Sequence, residues 1–210
     1  MPHKTPDLDA AYAVETPDEN RALYRDWAGS YDAEFAKDMD YRLPQLVALV
    51  FAEQMNGLGP VLDVGAGTGL VVENIPVRAT FEIDALDISP DMLGVAMKKG
   101  LYRTAIEADL THPLDIKDGI YGAVISAGTF THGHVGPEAM KELLRVARTR
   151  ALFVLAINAE HYVSLGFAAA FEALETQLTD FELRTVHIYG SDATDAHKND
   201  QARIATFRKC

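Results

Sequence analysis

The stretch VLDVGAGTGL, Val61 to Leu70, places three glycines within five residues, directly behind a short apolar run. Val61, Leu62, Asp63 and Val64 read as a buried parallel strand. Gly65, Gly67 and Gly69 follow, and Leu70, Val71 and Val72 open a helix. Strand, glycine-rich turn and helix in that order make the first unit of a nucleotide-binding α/β domain. The glycines let the chain turn sharply and let a ligand lie against bare main chain.

Outward from that loop, strand and helix alternate. Thr80 to Asp87 predicts a second strand. Ser89-Pro90-Asp91 predicts a capped helix start, with Lys98 and Lys99 at the negative end of the helix dipole and Gly100 as its stop. Arg103 to Ala108, Ile120 to Ser126 and Ala151 to Ile157 predict three more strands. A helix is expected over residues 162–178, then strands over Glu182–Tyr189 and Ala202–Arg208. Only a polar loop joins the last two, so they must pair antiparallel. The expected fold is α/β: a doubly wound, mostly parallel seven-stranded sheet with an antiparallel last strand. Ligands of such sheets sit beyond the C-terminal strand ends, where strand order reverses. Upstream, residues 1–20 are polar with three prolines and read as a flexible tail. Residues 21–56 are helical in pattern, with a break near Asp38–Tyr41, and residues 57–210 hold the sheet.

Composition limits the partners. The chain has 210 residues, 48% hydrophobic and 24% charged, which suits one domain with a full core. Its net charge of −12 repels phosphate backbones, so no nucleic-acid partner is expected. The lone cysteine, Cys210, offers neither a disulfide framework nor a cysteine metal site, and no metal is expected. No apolar run reaches membrane-spanning length, and MPHKTPDLDA lacks a signal-peptide core, so the expectation is a cytoplasmic protein, monomer or homodimer.

A dinucleotide loop spaced G-x-G-x-x-G/A would need glycine or alanine at Leu70. The actual spacing is D-x-G-x-G-x-G from Asp63, and a carboxylate there disfavours a pyrophosphate but suits an ammonium group. This pattern resembles the first motif of S-adenosylmethionine-dependent methyltransferases, a Rossmann-like superfamily. LDISPDML (Leu86–Leu93) resembles its second motif, EADL (Glu107–Leu110) its third, and YRDWAGSYD (Tyr24–Asp32) the aromatic helix that closes over the cofactor in small-molecule members. SAGTFTHGHVGPEAM (Ser126–Met140) resembles a subgroup near the Williams–Beuren-region methyltransferase-like proteins. Tyr121-Gly122-Ala123-Val124 departs from the acid often found at the start of that strand.

The resemblance implies S-adenosylmethionine as cofactor and residues 57–210 as its binding domain, with 21–56 as a helical lid. Asp87 would accept hydrogen bonds from both ribose hydroxyls, Ile88 would pack on the adenine, and Asp109 would face the adenine amino group. The wider cofactor-binding set it implies is Tyr24, Trp27, Tyr31, Asp63, Gly65, Ala66, Gly67, Met92, Leu110 and Ser126.

Ser126-Ala127-Gly128-Thr129 does not resemble the fourth-strand signature of nucleobase methylation, and no carboxylate cluster of the catechol type follows. A small-molecule acceptor is the expectation. Methyl transfer chiefly requires alignment and exclusion of water. His132 and His134 are candidate bases, with His161 more distant. They equally suit a passive role in loop or pocket wall. Tyr24, Trp27 and Tyr31 share one helical face, which reads either as lid or as core. A non-catalytic protein that senses the cofactor, and an NAD(P)-dependent oxidoreductase, are the alternative functions.

Overall fold

The computed structural model describes residues 10–210, apart from 12, 15, 38, 56, 58, 77–80, 132–134, 192 and 194–195. Strands β1 (Val61–Val64), β2 (Ile83–Asp87), β3 (Thr104–Glu107), β4 (Tyr121–Phe130), β5 (Ala147–Asn158), β6 (Leu178–His187) and β7 (Gln201–Lys209) form one sheet. Their spatial order is β3-β2-β1-β4-β5-β7-β6. The first five strands run parallel, and β7 lies antiparallel between β5 and β6. The order reverses between β1 and β4, so the crevice of this sheet opens beyond those two strand ends.

Alternation along the buried strands builds two cores, one on each face. Val61, Ala85, Ile125 and Val154 face α2 (Leu43–Gln54) and α4 (Pro90–Lys98), the α2 contacts being Leu43, Val47 and Phe51. Leu62, Leu86, Val124 and Phe153 face α5 (Met140–Val146), α6 (Ala159–Ser164) and α7 (Phe167–Ala173). Each large apolar side chain so buried contributes about 1.5–3 kcal/mol. Phe153 stacks on Phe207 across β5 and β7 with ring centroids 4.6 Å apart, which fastens the antiparallel strand to the parallel core.

Local differences from the sequence reading have identifiable causes. β4 continues past Ser126 to Phe130, with a register shift against β5 and Gly128 at φ +86°. The helix expected over 162–178 is two short ones, because Gly166 turns left-handed between them at φ +79°. The helix after the glycine loop, α3 (Leu70–Glu73), is a single turn. Upstream, α1 (Pro17–Trp27) starts inside the stretch read as tail. Thr16 and Glu19 cap it reciprocally, with Thr16 Oγ1 accepting from Glu19 N and Glu19 Oε2 from Thr16 N. A π-helical turn (Tyr31–Ala36) follows α1, while α2, counted with the lid in the sequence, packs on β4 and β5 as a core helix. No helix of the described residues is long and apolar enough to cross a membrane.

Candidate functional site

β1 delivers the glycine loop to the mouth of the crevice. Gly65 sits at φ +63°, and a Cβ there would overlap the Thr129 hydroxyl, so the chain passes β4 at a distance only glycine permits. Gly67, at φ +54°, has open space where a Cβ would stand. Ser126 Oγ and Thr129 Oγ1 both donate to the Val64 carbonyl, at 2.8 and 2.9 Å, and support the loop from beneath.

Asp87 ends β2 and faces the loop. Its two carboxylate oxygens accept from the Gly67 and Ser89 amides, each at 2.8 Å. Burial pushes its pKa up, and those backbone N–H groups pull it back. Asp63 is wholly buried at the end of β1. Tyr102 Oη donates to its Oδ2 at 2.6 Å, whereas Oδ1 has no hydrogen-bond partner among the described residues. Burial raises the Asp63 pKa to about 7, against the lowering Tyr102 hydrogen bond and with help from the Asp87 charge. At Asp109, burial is outweighed by the Thr111 hydroxyl and amide and by His112 and Arg21, leaving its pKa below the usual carboxylate range.

Asp87 and Asp109 border a cavity of about 930 Å³, open mouth included. Its wall includes Gly65, Ala66, Gly67, Asp87, Ile88 and Met92, with Asp109 and Leu110 from the turn after β3. Tyr24, Tyr31 and Tyr41 close it from the N-terminal side. No lysine or arginine lines it among the described residues.

The structure thus gathers ten of the predicted site residues around one space. Three others stand apart from it. Trp27, 2% exposed, is packed between Tyr24, Tyr31 and Phe35 and borders a neighbouring cavity instead. Ser126 and Asp63 lie buried beneath the loop and do not reach the cavity wall. His132 and His134 fall outside the described residues, and His161, on α6, lines neither cavity.

Sequence reasoning missed the tether that holds the N-terminal segment here. Asp32 accepts from Thr68 Oγ1 in the glycine loop and from Lys99 Nζ, at 2.6 Å, beyond α4. Lys99 also donates to Glu73 at 2.8 Å. Burial alone would lower the Lys99 pKa, but the two carboxylates raise it on balance.

The family described as "Methyltransferase domain" matches residues 61–150, the span from β1 into β5 that carries the glycine loop and Asp87. Over that span the chain is similar to methyltransferases. Among curated proteins of that kind, it is 29% identical to human methyltransferase-like protein 27 over 147 residues, 68% of this chain and 60% of the relative. It is 30% identical to a malonyl-[acyl-carrier protein] O-methyltransferase of Geobacter sulfurreducens over 143 residues, 65% of this chain and 52% of the relative. The chain therefore spans between half and three fifths of the length of these two relatives. Among solved structures, a Leishmania major S-adenosylmethionine-dependent methyltransferase superposes with TM-score 0.66 at 14% identity, covering 90% of this chain and 82% of that one. A Haemonchus contortus phosphoethanolamine N-methyltransferase, solved with S-adenosylhomocysteine, gives 0.65 at 12%, covering 93% and 59%. At those identities the two structures speak for the fold alone.

The donor set fits S-adenosylmethionine, the cofactor such a resemblance implies, on physical grounds. Two carboxylates, three tyrosine rings and loop backbone suit a cationic nucleoside without phosphate, because a pyrophosphate would meet no counter-charge among the described lining residues. Asp63, with one oxygen unpartnered among the described residues, adds a third carboxyl group beneath the loop.

Proposed function

We propose that this protein is an S-adenosylmethionine-dependent methyltransferase acting on a small-molecule acceptor. The observation that carries the reading is the cavity wall: Asp87 and Asp109, bare glycine backbone, three tyrosines, and no cationic side chain among the described lining. When bound, S-adenosylmethionine supplies a methyl group activated by its sulfonium, open to in-line displacement. Asp87, already oriented by Gly67 and Ser89, would hold the ribose hydroxyls. Ile88 and Leu110 offer apolar walls for a purine, with Asp109 placed to accept from its amino group. Tyr24 and Tyr31 would shut water out and present rings to the positive charge.

Burial raises the Tyr24, Tyr31 and Tyr41 pKa values, so these phenols stay protonated at neutral pH. They can donate hydrogen bonds but do not serve as bases. Alignment of the acceptor at roughly 3–3.5 Å from the methyl carbon would then supply most of the rate.

The test is incubation with metabolite extract and methyl-deuterated S-adenosylmethionine, followed by mass spectrometry. A product that carries the deuterated methyl only when the protein is present is the expected result. Firm cofactor binding with no labelled product from a broad set of extracts would favour the cofactor-sensing alternative.

A further inference from the structure

Beside the cofactor cavity lies a second one of about 540 Å³, open mouth included, and Tyr24, Tyr31, Tyr41 and Gly128 line both. A Cβ on Gly128 would come within 2.9 Å of Tyr41 Oη, so glycine at this position keeps the shared wall thin. On its far side the second cavity is walled by Trp27, Phe35, Phe130 and Tyr189. No charged side chain lines it among the described residues.

One polar side chain there is committed on one side only. Asn158, the last residue of β5 and 6% exposed, caps α6: its Oδ1 accepts from the Glu160 amide at 2.9 Å and the His161 amide at 3.3 Å. Two N–H donors identify that atom as oxygen, so the other is the amide nitrogen. Asn158 Nδ2 has no hydrogen-bond partner among the described residues, and Asn158 lines the cavity.

We infer that the second cavity is the acceptor site, that it takes a neutral planar molecule with an oxygen lone pair, and that Asn158 selects for that oxygen. This rests on the methyltransferase reading only for the word acceptor; the chemistry of the cavity stands on its own lining. Ring walls favour a flat apolar body. An anion would lose its hydration and find no lysine or arginine among the described lining residues. Aromatic faces do attract cations, but the Asn158 amide nitrogen is a donor, which repels a cation and pairs with an oxygen, while the Thr131 and tyrosine hydroxyls of the lining carry no charge to hold one. The carboxylates of the region, Asp87 and Asp109, belong to the other cavity.

Calorimetry with three probes of one ring system tests this, both with saturating S-adenosylhomocysteine and without it. The probes are 2-acetylnaphthalene, 2-naphthoate and (2-naphthylmethyl)trimethylammonium. The neutral ketone should bind at least about tenfold more tightly than either charged probe. Asn158→Asp keeps an oxygen to cap α6 and replaces the donor by an acceptor. It should weaken the ketone about tenfold while the melting temperature and S-adenosylhomocysteine affinity stay put. Equal or tighter binding of the carboxylate or the ammonium probe, or no binding of the ketone, overturns the inference. So does a well-folded Asn158→Asp protein with unchanged ketone affinity. Should that variant not fold, the probe ranking on the unaltered chain still decides. Absent binding of S-adenosylhomocysteine counts against the methyltransferase reading, while the ranking without it still judges the cavity.

Discussion

Asp63 and Asp87 end neighbouring strands, and both lost water when the sheet closed over them. The Asp87 carboxylate recovers two backbone N–H donors, whereas Asp63 recovers one phenol and keeps an oxygen without a partner among the described residues. Its pKa of about 7, against roughly 4 in an unfolded chain, means that the native state holds an extra proton between those pH values. The stability tied to this group is therefore fully present below about pH 4 and is lost as pH rises through about 7. Urea unfolding of the free protein should show a decline on the order of 2 kcal/mol between pH 5 and 8. In Asp63→Asn, neutral throughout, the slope should flatten; an equally steep variant would mean that other groups set it, Asp87 first, since its shift has the same sign. Asp63 and Asp87 were legible in the sequence because each follows an apolar strand and sits at a set distance from the glycines. Tyr102 and Asn158 were not, because nothing local marks a tyrosine that meets Asp63 from 39 residues away, or a cap whose second face looks into a cavity.

The N-terminal elements show how a sequence pattern can be right in kind and divided in use. The aromatic stripe of α1 and the turn after it splits by depth: Tyr24 and Tyr31 border the cavity at the glycine loop, and Trp27 and Phe35 pack behind them. Periodicity placed these rings on one face but could not say which would reach through to the ligand. Asp32 then joins this segment to Thr68 of the glycine loop and to Lys99. If that tether holds the cover in place, Asp32→Ala should speed hydrogen exchange over residues 17–37 and weaken S-adenosylhomocysteine binding several-fold, since such part-buried charge-assisted bonds contribute up to about 1.5 kcal/mol each. Exchange as slow as in the unaltered protein would show that packing of Trp27 and Phe35 suffices without the tether. Bound S-adenosylhomocysteine should slow exchange over the same residues, as expected of a lid.

At the scale of the whole molecule, the parallel sheet, its antiparallel final strand and the crevice at its reversal point were all readable from apolar runs separated by helical spacings. Element edges were less so. β4 and β5 run further than their apolar cores, because pairing in the sheet carries Thr129, Phe130 and Arg148 into extended backbone that local composition does not demand. The acidic, phosphate-averse cavity is the feature on which the account depends, and titration calorimetry tests it directly. S-adenosylhomocysteine should bind, NAD and NADP should show no comparable binding, and Asp87→Ala should weaken S-adenosylhomocysteine by about tenfold or more in a protein that remains folded. Binding of a dinucleotide as tight as that of S-adenosylhomocysteine, or an Asp87→Ala protein with unchanged affinity, would contradict it.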